Sequence, residues 1–286
     1  MPELPEVETT LRGIEAAIDG RCLIDWEIRN AALRWPVELP DALRQQRITG
    51  LRRRAKYLLL ETAPLATPPL DIPTGALIVH LGMSGSLRVV DDSVAPRKHD
   101  HVDLRFDSGS ILRLHDPRRF GSLHYCPAPV ESHFLLRNLG VEPLSSAFDG
   151  AHLKRLAKGR RAPIKNFIMD ARIVVGVGNI YANEALFLAG IRPTQAAGNL
   201  SLPACRALAG AIRDVLASAI QMGGTTLRDY VGGNGETGYF KQSLNVYGRE
   251  GEACNLCDTA LVSLRLGQRA TVYCPKCQHS RGFKRR

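Results

Sequence analysis

His101-Val-Asp-Leu-Arg-Phe106 and Ile111-Leu-Arg-Leu114, joined through Asp107-Ser-Gly109, are two short runs of alternating apolar residues flanking a turn-forming tripeptide. Period-two alternation turns one face of each run toward a core, and Asp-Ser-Gly suits the reversal of an antiparallel pair. The same signal spreads upstream through Leu23–Ile28, Tyr57-Leu-Leu-Leu-Glu61, Ala76–Leu81 and Ser86–Val90. Many short strands with few helices between Cys22 and Val130 predict a β-sandwich or barrel. Pro64, Pro68, Pro69 and Pro73 crowd one connection, which reads as an exposed loop.

A helix over residues 3–18 precedes the strands, with Val7, Leu11, Ile14 and Ile18 on one side and Gly20 at its end. It begins at Met1-Pro-Glu-Leu-Pro-Glu-Val-Glu8. Loss of Met1 leaves a secondary amine at Pro2. An α-amino group titrates at about pH 7.7–8.0, so a useful fraction is nucleophilic near neutrality. Glu3 stands beside that amine and Glu6 one short turn further, a pairing suited to imine chemistry with an acid to move protons. Spacing alone favours a prolyl helix start, with Pro5 and Glu6 opening the helix. The two readings are compatible.

Two glycine-bearing turns carry chemistry-grade residues. His80-Leu-Gly-Met-Ser-Gly85 lets backbone approach closely, and His115-Asp-Pro-Arg-Arg-Phe-Gly121 sets two arginines beside an aromatic that could enter a base stack. Composition alone favours a core-capping Phe120 with solvated arginines. Beyond Ser145 the period becomes helical: Phe148–Lys158, Ile164–Asp170 opened by Pro163, Ile180–Leu188 and Pro203–Met222. Val174-Val-Gly-Val-Gly-Asn179 before the third of these reads either as an Asn cap or as a phosphate-binding helix start. Residues 225–240 read as a mobile loop. Cys254-Asn-Leu-Cys257 and Cys274-Pro-Lys-Cys277 are two knuckles sixteen residues apart, a strong signal for one closed, tetrahedral, structural zinc site.

The chain has 286 residues, a formal charge of +10 and seven cysteines. Its length allows two domains and a small module. No apolar run is long enough to span a bilayer, and the acidic N-terminus lacks a signal segment, so a cytoplasmic protein without membrane association is expected. Excess positive charge points to nucleic acid as partner. Residues 241–286 carry nine Lys or Arg against three acids, which concentrates that charge around the cysteines. Cys22, Cys126 and Cys205 read as small core residues.

PELPEVET, RRAKYLLLE, HLGMSG, KHDHVD, DPRRFG, VVGVGNIYANE, GGTTLRD, GYF, VYGR and the C-terminal four-Cys pattern with GQRATVYC run in order from residue 2 to residue 277. Together they resemble the bacterial formamidopyrimidine-DNA glycosylase family. The resemblance implies an α+β protein with an N-terminal β-sandwich catalytic domain (1–130), a helix–two-turns–helix DNA-binding domain (131–240) and a four-Cys zinc finger (241–286). It implies base-excision repair: removal of 8-oxoguanine and formamidopyrimidines from damaged double-stranded DNA, then β,δ-elimination at the abasic site. A monomer suffices for this work. Pro2 would be the Schiff-base nucleophile, Glu3 its acid/base partner, Lys56 a proton-transfer and DNA residue, and Arg269 an aid to δ-elimination. Met83, Arg118 and Phe120 would fill the gap left by the extruded base. His99, Arg118 and Arg161 would contact the DNA backbone, Asn179 a phosphate, and Glu6 is grouped with these DNA-facing residues. The 225–240 loop would close over the lesion, and Cys254, Cys257, Cys274 and Cys277 would hold one structural zinc ion.

Three departures accompany the resemblance: a longer, Pro-rich Thr62–Gly75, an extended basic tail Gln278–Arg286, and Met1, whose retention would make the Pro2 nitrogen a tertiary amide unable to form an imine. Two rival readings are an endonuclease VIII-type glycosylase for oxidised pyrimidines and a non-catalytic zinc-finger DNA-binding protein. The Leu4–Glu8 continuation with Met83, Arg118 and Phe120 argues against the first. The joint presence of Pro2, Glu3 and Lys56 argues against the second.

Overall fold

The computed structural model describes residues 2–65, 74–224 and 244–279. Expectations for Met1, for the Pro-rich stretch 66–73, for the 225–240 loop and for the tail beyond His279 therefore lie outside the described residues. The chain divides into two compact units at Asn138/Leu139, with Met222–Gly224 belonging to the first.

The first unit opens with helix α1 (Leu4–Ile18). Strands β1 (Cys22–Ile28), β2 (Gln46–Arg54), β3 (Tyr57–Pro64), β4 (Gly75–His80), β5 (Ser86–Val90), β6 (Asp100–Phe106), β7 (Ile111–His115) and β8 (Ser122–Pro127) follow. They form one continuous antiparallel sheet in the order β5-β7-β6-β1-β2-β3-β4-β8, so the expected sandwich is built from a single hydrogen-bonded sheet. The Asp-Ser-Gly reversal is present: Gly109 N–H donates to Phe106 O at 3.0 Å, and Leu104 lies opposite Leu112. Val7, Leu11, Ile14 and Ile18 of α1 join Leu58, Leu60, Val102, Leu104, Leu112 and Leu114 in one buried core. Burial of these apolar faces is what holds the layer together.

One sequence expectation changes here. Pro64 is not part of the loop. It ends β3 opposite Gln46, and Thr74 N–H donates to Thr62 O, so the β3–β4 ladder continues to the edge of the Pro-rich stretch. A proline is tolerated there because a strand end needs no further donor.

In the second unit, α2 (Gly150–Ala157), α3 (Ile164–Ile168), α4 (Asn179–Leu188) and α5 (Leu202–Gln221) precede the hairpin β9 (Val262–Leu266) and β10 (Arg269–Tyr273). Helix α4 packs on both α5 and β10. Pro163 is the N-cap of α3. Asn179 is not the cap of α4 but its first residue; Gly178 caps and brings no side chain to the helix start. Gln278, read as the start of a tail, is fully buried: its amide accepts Cys274 N–H at 2.9 Å and donates to Ile191 O at 3.0 Å. No helix among the described residues is long and apolar enough to cross a membrane.

The sheet encloses a charged group. Asp103 is wholly buried between Arg113, whose Nε and Nη2 donate to its two oxygens at 2.8 Å each, and Arg29, at 2.7 Å. Burial pushes its carboxyl up, but the bonds from Arg113 and Arg29 prevail and hold it below its usual value. Removing one partner of a buried pair leaves an uncompensated charge. Arg113→Leu should therefore lower stability by about 3 kcal/mol in urea unfolding at pH 7. A depressed carboxylate contributes fully above its unfolded value of about 3.9 and loses that contribution as pH falls through the folded one. The gap between variant and parent should accordingly narrow as pH falls through the range where Asp103 protonates in the folded variant but not yet in the parent.

Candidate functional site

In the first unit, the start of α1 is fixed by reciprocal hydrogen bonds. Glu3 is the N-cap; its carboxylate accepts Glu6 N–H, and Glu6 Oε2 accepts Glu3 N–H at 2.8 Å. Both acids are 2% exposed, and Pro2 beside them is buried. Carboxylates at a helix N-terminus are stabilised by its unpaired N–H groups and dipole. Glu6, grouped by sequence with DNA-facing residues, instead turns inward and fixes the backbone of Glu3. A Cβ at Gly224, where φ is +83°, would lie 3.1 Å from Glu6 Oε1, so the backbone passes close over that carboxylate.

Lys56 occupies the two-residue turn between β2 and β3, where Ala55 takes φ +56°. That sign of φ is what a tight hairpin turn demands at its first position. Arg53 ties the turn to α1: Nη1 donates to Ala55 O at 3.0 Å and Nε to Glu8 Oε2 at 2.9 Å. Helix α1 and the lysine turn are thus held by one arginine. Burial, then the charges of Lys56 and Arg34, push His80 down to about 4. Its neutral ring accepts Gly82 N–H on Nδ1 at 3.0 Å.

The two glycine turns meet backbone to backbone. A Cβ on Gly82 would fall 2.5 Å from Gly121 N, and one on Gly121 2.7 Å from His80 O. Asp116 Oδ2 accepts Gly121 N–H at 2.7 Å, and Arg119 adopts φ +54°. This interlock lines a cavity of about 560 Å³ with Arg34, His80, Gly82, Met83, Arg119 and Phe120. Met83 is 38% and Phe120 44% exposed, and the Arg118 guanidinium lies 5.0 Å from the Phe120 ring centre. The composition-based reading of Phe120 as a core cap is therefore overturned: the tight turn points the ring outward. Exposed apolar side chains on a rigid rim between arginines suit contact with stacked bases.

The second unit presents Arg161 on an exposed loop and Arg269, also exposed, at the start of β10. Asn179 opens α4, and Gly176 before it takes φ +79°. Sequence reading missed the side chains that anchor this unit. Glu184, 1% exposed, accepts the N–H groups of Asn245, Val246 and Tyr247 at 2.8–2.9 Å. Asn183 Oδ1 accepts Val272 N–H at 3.0 Å. Lys165, fully buried, donates to Ala270 O at 2.8 Å and Thr271 Oγ1 at 2.7 Å. The clue was available: a polar pair inside the apolar run Ile180–Leu188 has to be bonded if it is buried.

Cys254, Cys257, Cys274 and Cys277 bring their four sulfurs within 4.8 Å of one another. The separations of 3.3 Å (Cys257–Cys277), 3.5 Å (Cys257–Cys274) and 3.9 Å (Cys254–Cys277) bracket the roughly 3.8 Å edge of a tetrahedron with 2.3 Å zinc–sulfur bonds. Leu256 N–H and Cys277 N–H point at the sulfurs of Cys254 and Cys274. Val246, Leu261, Val272 and Phe187 pack around them. The four cysteines are positioned to bind one zinc, a closed site that orders the hairpin.

Residues 1–123 match the Formamidopyrimidine-DNA glycosylase N-terminal domain, residues 139–231 its H2TH domain, and residues 251–279 the zinc finger found in FPG and IleRS. Formamidopyrimidine-DNA glycosylase of Methylococcus capsulatus is 56% identical over 280 residues, covering 97% of this chain and 100% of the relative. The crystal structure of the MutM (Fpg) protein from Thermus thermophilus is similar with a TM-score of 0.85 at 36% identity, over 97% of this chain and 98% of that one. Lactococcus lactis Fpg in complex with abasic-site DNA gives 0.87 at 32%, over 97% and 99%. A MutM complex with carbocyclic 8-oxo-G containing DNA gives 0.86 at 32%, over the same shares. With all three parts matched in order and such identity along nearly its whole length, the chain belongs to the formamidopyrimidine-DNA glycosylase family.

Proposed function

We propose that this protein is a bifunctional base-excision enzyme: a DNA glycosylase that removes oxidised purines from duplex DNA and a lyase that cuts the resulting abasic site. The observation that carries the reading is the rigid mounting of Pro2 and Glu3 at a capping box, tied through Arg53 to the turn that bears Lys56. Damaged double-stranded DNA is the partner, one copy of the chain suffices, and the cytoplasm is where such an enzyme meets bacterial DNA.

The chemistry follows from the residues. With Met1 removed, the Pro2 amine attacks the sugar C1′, and the bond to the damaged base breaks. The base departs with the electron pair, and a protonated group returns a proton to it. The Pro2 nitrogen gives up its proton, the sugar ring opens as the C1′–O4′ bond breaks with O4′ taking a proton, and the resulting iminium acidifies the C2′ hydrogen. Removing that proton expels the 3′ phosphate, and a second elimination expels the 5′ phosphate. Each step moves protons and electron pairs only, so an acid/base shuttle suffices; Glu3 is our candidate for it, assisted by Lys56. Reaching the base requires extruding the nucleotide, at a cost of a few kcal/mol, roughly, of lost stacking. Met83 and Phe120 offer apolar surface to the vacated stack, with Arg118 against Phe120. His99, Arg118, Arg161 and Asn179 hold backbone phosphates, and Arg269 assists the second elimination. Zinc would be held by the four cysteines and would order the hairpin that carries Arg269.

Borohydride trapping on duplexes carrying 8-oxoguanine opposite cytosine tests the reading, with loss of Met1 verified by mass spectrometry. The mature protein should form a covalent complex, and Pro2→Gly should lose it almost wholly. Trapping only on oxidised-pyrimidine duplexes would sink the purine assignment, and tight binding without any adduct would sink the enzymatic one. Phe120→Ala should slow single-turnover excision of 8-oxoguanine by about tenfold or more while leaving cleavage of a preformed abasic site far less affected, because only the former must hold a base out of the stack. Stripping zinc with a chelator should abolish DNA binding and lower the thermal midpoint of the second unit; unchanged binding by metal-free protein would refute a structural zinc.

A further inference from the structure

His99 adopts φ +92°, a left-handed backbone that favours glycine. Such strain persists only where neighbouring groups over-determine it, and it clusters at functional positions. Here the neighbours can be named. Asp100, 3% exposed, uses both carboxylate oxygens: Oδ2 accepts Arg97 N–H at 2.8 Å, and Oδ1 pairs with His115 Nδ1 at 2.7 Å. Asp116 N–H donates to His99 O at 3.0 Å. The rings of His101 and His115 each stand edge-on to the His99 ring at 6.1 Å. His101 is itself fixed by Nε2 against Asp116 O at 2.8 Å.

His115 alone among these makes both kinds of contact, a hydrogen bond to the Asp100 hub and a ring contact with His99. Burial pushes the Asp100 carboxyl up, but bonds from Arg97 N–H and His115, with the Arg88 charge 3.7 Å away, hold it below its usual range. Ionised, it can only accept, so Nδ1 of His115 carries the proton. Burial, against the pull of Asp100, keeps the His115 ring neutral at pH 7. A neutral imidazole with a fixed tautomer is a spacer and a donor at once.

We infer that His115 is a positioning residue for DNA binding: its Nδ1–H, through Asp100, and its ring edge hold the strained backbone and imidazole of His99 in the orientation offered to the DNA backbone. The inference rests on the reading of His99 as a DNA contact made above. It predicts that the contribution of His115 passes entirely through His99. It also predicts an effect on binding and not on the chemical step, since neither ring belongs to the proton-transfer set.

The test is a double-mutant cycle read by fluorescence anisotropy on a duplex with a non-cleavable tetrahydrofuran site, with saturating single-turnover rates on 8-oxoguanine duplex measured alongside. His115→Leu should weaken binding by about tenfold, as His99→Ala does, with the saturating rate changed by no more than about twofold. His115→Asn, which keeps a donor near the Nδ1 position, should recover most of the affinity. The double variant should bind no worse than His99→Ala alone. Multiplying losses in the double variant, unchanged binding by His115→Leu, or no rescue by His115→Asn would each overturn the inference. Failure of the parent protein to bind the tetrahydrofuran duplex would instead overturn the glycosylase reading, before His115 is in question.

Discussion

A chain terminus is ordinarily the least ordered part of a domain. In this protein the backbone N–H of Glu3 is bound by the carboxylate of Glu6, and the carboxylate of Glu3 by the N–H of Glu6. That exchange fixes the residue next to Pro2, and much of the first unit is arranged to preserve it. Val7, Leu11, Ile14 and Ile18 sink α1 into the sheet core, so the helix start cannot fray without unpacking the helix. Arg53 then joins Glu8 to the β2–β3 turn, and Lys56 inherits the same rigidity. A main-chain nitrogen acting as nucleophile, as proposed for Pro2, would depend on this kind of backbone control, since proximity acts only when geometry is held.

The second unit solves a comparable problem with buried polar side chains. A two-stranded hairpin is at best marginally stable alone, and one stapled by four sulfurs still needs a direction. Lys165 fixes Ala270 and Thr271, Asn183 fixes Val272, and Glu184 fixes the three amides leading into the module. Arg269 precedes the first of these by one residue, so its backbone is set by α3 and α4 as well as by the metal site. Each of these groups is costly to bury unless bonded, which makes the arrangement specific: a shift of register by one residue would orphan all of them.

What could be read from the sequence follows from how local each signal is. The hairpin at Asp107-Ser-Gly109, the helix start at Pro5 and the cysteine knuckles are short-range patterns, and each appears where its spacing places it. The burial of Glu6 is not legible in the sequence, because its partner is backbone three residues away and its charge gives no hint of direction. Composition alone counts Phe120 as core, whereas the ring stands 44% exposed beside the close approach of Gly82 to Gly121; only the motif around it points outward. Asn183, Glu184, Lys165 and Gln278 bond to residues 61 to 106 positions away, and no local period records such pairings.

The Gly82–Gly121 interlock also explains why the exposed apolar rim costs the fold little. A Cβ at either glycine would collide with backbone, so these two turns can meet only as they do, and the rim of Met83 and Phe120 is set by main-chain packing. The apolar tips can therefore stand in solvent without a core to orient them. Asp116 strengthens the junction, bonding Gly121 N–H through its side chain, Arg119 N–H and His101 through its carbonyl, and His99 O through its own N–H. One buried acid thus connects the rim to the strained histidine segment. The residues that would displace a base and the residue that would hold the backbone beside it share a single anchor, so a change at Asp116 would disturb both together.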